Sequence, residues 1–104
     1  MPLVVVLSTT PDKKSARKIA RILIQKKLAA CVSFREGWES VYSWKGKTET
    51  SSEVLLLIKT TTAKFKALQQ AILKIHPYEV PEILALPVTG VSAAYSRWLE
   101  KATI

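Results

Sequence analysis

Apolar residues recur along this chain in two rhythms. Leu3-Val4-Val5-Val6-Leu7 is an unbroken, β-branched run that closes on Ser8-Thr9-Thr10-Pro11, the pattern of a short strand covered on both faces. After Asp12, which is suited to cap a helix, the spacing changes to three and four, and Ala16, Ile19, Ala20, Leu23 and Leu28 form one stripe. Residues 29–34 return to a continuous run and predict a second strand. It leads through Trp38, Tyr42 and Trp44 to the turn signal Lys45-Gly46-Lys47. The return limb, residues 53–59, completes a long hairpin and is again too continuously apolar for a sheet with one wet face. Thr61 or Thr62 is placed to cap a second helix with its stripe at Phe65, Leu68, Ile72 and Ile75, which Pro77 stops. Residues 82–88 read as a fourth strand, at an edge, a bulge or a strand end because Pro87 has no N–H for a ladder. Ser92 then begins a short last helix through Tyr95, Trp98 and Leu99.

The order β-α-β-β-α-β-α predicts an α+β fold, a ferredoxin-like split β-α-β plait with an extended hairpin and a C-terminal helix, spanning residues 1–104 as one domain. The two main helices of such a plait cover one sheet face only. The strands nevertheless read as buried on both faces, so the pattern calls for another copy of the chain over the second face. The alternative is that the last helix and the hairpin fold back over it.

Sixteen Lys plus Arg against eight Asp plus Glu give a net charge of +8 and raise the question of an anionic partner. Lys13, Lys14, Arg17, Lys18 and Arg21 fall opposite the apolar stripe of the first helix and have no aromatic residues among them. They read as a solvated face, with no specific nucleic-acid partner expected. The single cysteine, Cys31, lies in an apolar stretch and reads as a buried thiol in a reducing compartment. No apolar run nears the roughly 18 residues that a membrane helix needs, and residues 3–7 lack a basic leader. A cytoplasmic protein without a membrane partner is the resulting expectation.

Candidate chemistry concentrates in His76-Pro77-Tyr78-Glu79-Val80-Pro81-Glu82-Ile83, where the only histidine, a phenol and two carboxylates share a proline-braced connector. Each proline pushes the residue before it out of the α region. The segment should therefore run extended, with His76 and Tyr78 on one side and Glu79 on the other. Imidazole suits Cu²⁺, Zn²⁺ or Ni²⁺, and Glu79 or Glu82 adds oxygen. One chain with one Cys and one His falls short of a closed tetrahedral set.

Taken together, residues 4–11, 28–32, 40–47, 53–60 and 76–83 resemble the CutA divalent-ion-tolerance proteins over essentially the whole chain. The resemblance implies a tight homotrimer similar to the PII-type signalling proteins, with the hairpin reaching a neighbour and the sheets packed inward. It also implies a link to tolerance of copper and other divalent cations, and no enzymatic reaction. The residues matching the family's inter-subunit cleft are Trp44, Lys59, His76, Tyr78 and Glu79. Some copper-binding relatives carry a Cys at the end of the first strand and a doubled His before Pro-Tyr. Ser8 and Ile75 stand at those places here, which leaves His76 and Glu79 as the expected metal ligands for weakly bound Cu²⁺ or another divalent cation not required for folding. A PII-like signalling or adaptor trimer is the alternative reading, with an anionic small molecule or a partner protein held at Lys59 and an ion pair to Glu79 as that lysine's plainer role.

Overall fold

The computed structural model describes residues 2–104. Its sheet is built outward from the first apolar run. That run forms β1 (Leu3–Thr10), which continues three residues past the apolar stretch. α1 (Lys13–Gln25) follows, and then β2 (Cys31–Trp44) and β3 (Lys47–Thr61) form the hairpin as two long strands. α2 (Phe65–Ile75), β4 (Leu84–Pro87) and α3 (Ala93–Ala102) complete the chain. The sheet order is β2-β3-β1-β4 with antiparallel neighbours throughout, which is the split β-α-β plait.

Local chemistry explains most boundaries. Asp12 caps α1 by accepting from Ser15 N at 2.7 Å, and that hydrogen bond holds its carboxyl below the usual range. Ser92 accepts from Tyr95 N at 3.3 Å and caps α3 in the same way. α2 departs from expectation: a single 3₁₀ turn, Thr62–Lys64, precedes it, and neither Thr61 nor Thr62 caps it through a side chain. β4 is shorter than residues 82–88. It ends at Pro87 on the open edge of the sheet, where a missing N–H costs no ladder bond.

The core lies between the sheet and the two main helices. Val6, Leu56 and Ile58 point from β1 and β3 into it and are fully buried. Ile19 and Leu23 of α1 and Leu68 and Ile72 of α2 close it from the other side. The basic side chains Lys13, Lys14, Arg17, Lys18 and Arg21 all face solvent, and Lys13 reaches Glu36 at 3.2 Å.

Alternation along the strands puts the other residues on the opposite face. Register aligns Leu86, Val5, Lys59 and Cys31 in one row and Leu84, Leu7, Leu57 and Ser33 in the next. Within one chain this apolar face is unfinished: Leu84 and Leu86 stay 53% and 48% exposed, and Val5, Leu7 and Leu57 are only half-buried. α3 packs against β3 and buries Leu99, but it leaves these rows open. The hairpin does not fold back over them. It runs outward and stretches the molecule to 45 × 26 × 23 Å, with Trp38 exposed where it leaves the sheet and Tyr42 and Trp44 exposed near its far end.

Cys31 is correspondingly not a core thiol. It sits half-buried on the second face, 3.8 Å from Lys59 Nζ.

Candidate functional site

Pro77 ends α2 by setting His76 in the extended region, at φ −72° and ψ 134°, while His76 N still donates to Ile72 O at 2.9 Å. The connector does not then run straight. It bends through Pro77 and Tyr78 because the His76 ring holds it from two sides. Nδ1 accepts the Tyr78 backbone N–H at 3.0 Å, so Nε2 carries the proton and donates to Thr9 O at 2.8 Å. Burial lowers the His76 pKa below its usual value, against the opposing pull of the Thr9 contact and the Glu53 charge.

The bend sets Tyr78 beside His76, with ring centroids 5.0 Å apart and planes tilted by 44°, and sends its hydroxyl to the sheet. Tyr78 Oη donates to Glu53 Oε2 at 2.6 Å. Burial, followed by this hydrogen bond, pushes the phenol well above its ordinary value, so the donor keeps its proton. Glu53 is itself buried, at 7% exposure, near the point where the hairpin leaves the sheet.

Around this pair opens a cleft of about 500 Å³. The hairpin supplies Tyr42 and Trp44, the sheet supplies Thr9 and Glu53, and the connector supplies Tyr78, Glu79 and Glu82. Tyr42 is held in place by a 2.7 Å hydrogen bond between its hydroxyl and Ser51 Oγ.

Of the five residues assigned to a cleft from the sequence, Trp44, Tyr78 and Glu79 meet here. His76 stands behind the wall as a brace. Both its ring nitrogens are engaged within the chain. Lys59 lies elsewhere, opposite Val5 in the β1–β3 register, four residues along β1 from Thr9. Its ammonium donates to Ser33 Oγ at 2.7 Å, and it forms no ion pair with Glu79. Among the described residues, no three His, Cys, Asp or Glu side chains are grouped to hold a metal ion. Glu53 and Thr9 were not marked by the sequence. The available signal was a lone carboxylate heading an apolar strand, which reads equally well as a strand boundary.

The family model of the CutA1 divalent ion tolerance protein matches residues 4–102. The chain belongs to this family. It is 44% identical over 99 residues to the divalent-cation tolerance protein CutA of Thermus thermophilus, an alignment covering 95% of this chain and 96% of that one. It is also 44% identical over 103 residues to the chloroplastic protein CutA of Arabidopsis thaliana, covering 99% of this chain and 57% of that protein. The chain thus spans little more than half the length of its plant relatives. Among solved structures, CutA1 from Oryza sativa superposes with a TM-score of 0.97 at 42% identity, covering 100% of this chain and 95% of that one.

The family membership corrects one expectation. The Arabidopsis relative is named chloroplastic, and a structure from Archaeoglobus fulgidus with TM-score 0.96 and 29% identity, covering 98% of this chain and 99% of that one, is titled a periplasmic divalent cation tolerance protein. A cytoplasmic location therefore does not stand for this chain. A lone, unpaired thiol forms no intrachain disulfide in any compartment, so Cys31 carries no compartment signal.

Proposed function

We propose that this chain serves divalent-cation tolerance as a homotrimer that catalyses no reaction and holds a cation or small ligand in clefts lying between its copies. The observation that carries this reading is the unfinished second face. Val5, Leu7, Leu57, Leu84 and Leu86 form a continuous apolar surface, and Thr9 and Glu53, which line the cleft, sit on the same side of β1 and β3. A copy seated on that surface therefore borders the cleft. Obligate interfaces bury surfaces of this apolar kind.

The family's association with divalent cations supports a cation as the ligand. Within one chain the carboxylates lining the cleft are Glu53, Glu79 and Glu82, which suit a hard or borderline cation bound weakly unless a neighbour adds ligands. The anionic-ligand alternative finds no support in the cleft, since none of its lining residues is basic.

Calorimetric titration of tag-free protein with Cu²⁺ and Zn²⁺ tests the reading. Weak saturable binding is expected, reduced in Glu79→Gln and retained in His76→Ala. Binding lost in His76→Ala and unchanged in Glu79→Gln would place the site at the connector's brace instead.

A further inference from the structure

The cleft is chemically one-sided in a way that opposes the rest of the molecule. The chain carries twice as many basic as acidic residues, yet three carboxylates and no basic side chain line this space. Glu53 is the decisive member. Its backbone and most of its side chain are buried, at 7% exposure, its Oε2 accepts one hydrogen bond from Tyr78, no cation pairs with it among the described residues, and Oε1, which has no hydrogen-bond partner, is not sealed from the cleft. A carboxylate confined in this way, with one oxygen held and the other open to the cleft, is placed to receive a cationic group as a charge-assisted hydrogen-bond partner.

The walls distinguish between kinds of cation. A bare metal ion needs several donors converging on one point, and no such group exists among the described residues. The cleft has a volume of about 500 Å³, the range of small-molecule sites, and three aromatic rings, Tyr42, Trp44 and Tyr78, contribute to its wall. Aromatic faces attract ammonium groups strongly once water is excluded. Trp44 already attracts one in this structure, with Lys45 Nζ 5.7 Å from its ring centroid.

We infer that the cleft takes an organic ammonium ion, its charged nitrogen drawn to Glu53 and the neighbouring connector carboxylates and its apolar part lying against Trp44 and Tyr42. This rests on the reading of the cleft as the ligand site and specifies the ligand's class. Tyr78 acts as a positioning residue that holds Glu53 toward the space with a proton it does not release.

The test is calorimetric titration of the assembled protein with phenethylammonium, its neutral near-isostere phenethyl alcohol, and the anion phenylacetate, beside Cu²⁺ and Zn²⁺ alone. The ammonium should bind saturably and about tenfold or more tighter than the alcohol, as expected for a hydrogen bond to a buried charge. Phenylacetate should not bind. Glu53→Gln and Trp44→Leu should each weaken the ammonium about tenfold, while Glu39→Gln, outside the cleft, should leave it unchanged. Trp44 is 38% exposed, so its replacement keeps the test valid if Glu53→Gln fails to fold. Equal binding of all three organic probes would overturn the inference, because charge would then not be what is recognised. Metal binding without ammonium binding would overturn it and leave the proposed function in place. Binding of neither would overturn both.

Discussion

Tyr78 ties a loop to a sheet through a single proton. Its hydroxyl is the only hydrogen-bond partner that the described structure gives the buried Glu53 carboxylate, and an unsatisfied buried acceptor costs more than a missing contact. Tyr78→Phe keeps the ring and its packing against His76, and should lower unfolding free energy by about 1–3 kcal/mol. Denaturant titration at fixed protein concentration measures it, and a loss near zero would mean that water reaches Glu53 freely. His76 makes a second prediction. Its folded pKa lies below its unfolded value of about 6.5, so the unfolded chain binds the proton more readily. The stabilisation is complete above about pH 6.5 and is lost as pH falls through the folded value. Wild-type stability should therefore drop more steeply on acidification below that point than the stability of His76→Gln. Matching slopes would show that the ring titrates as it would in water. At this scale the sequence was legible where chemistry is local. Asp12 and Ser92 cap the helices they precede, and the aromatic and acidic residues Trp44, Tyr78 and Glu79 do converge. It was not legible where partners come from afar. The Thr9 carbonyl that occupies His76, and the Ser33 hydroxyl that holds Lys59, are set by sheet register, which no local pattern encodes.

Elements show the same division. The hairpin turn has two residues, Lys45 and Gly46, both with positive φ, 51° and 81°. Such a type I′ turn matches the twist of the strands it joins, so the Lys-Gly signal led to the correct reversal. Lys45 carries a Cβ in a conformation where Asn is better tolerated. Lys45→Asn should therefore raise stability by a few tenths of a kcal/mol, and Gly46→Ala should lower it by about 1 kcal/mol. Thermal unfolding of the two variants should shift in opposite directions, and shifts of the same sign would contradict the turn assignment. The bulge between Arg35 and Trp38, with Gly37 at φ 82°, was harder to read, since the surrounding sequence shows no alternation to interrupt. It changes the strand's register where the hairpin leaves the sheet and sets Trp38 across from Glu53. Strand ends also escaped the pattern. β1 extends through Ser8, Thr9 and Thr10 because β3 offers ladder partners along its whole length, and a polar side chain does not prevent a backbone from pairing.

The whole molecule is organised around a sheet with one finished face and one unfinished face. Helices α1 and α2 close the first around Val6, Leu56 and Ile58. The second presents Val5, Leu7, Leu57, Leu84 and Leu86, and neither α3 nor the outward-running hairpin covers them. The sequence carried this imbalance in strands too apolar for one wet face, though it did not encode how far the hairpin projects. Copies of the chain that close this surface would also shape the cleft around Glu53 and Trp44. The most direct measurement is the mass of the tag-free protein by light scattering on dilution to low micromolar concentration. Three times the chain mass, maintained across the dilution, is expected if copies close the second face; a folded species with the mass of a single chain would contradict it.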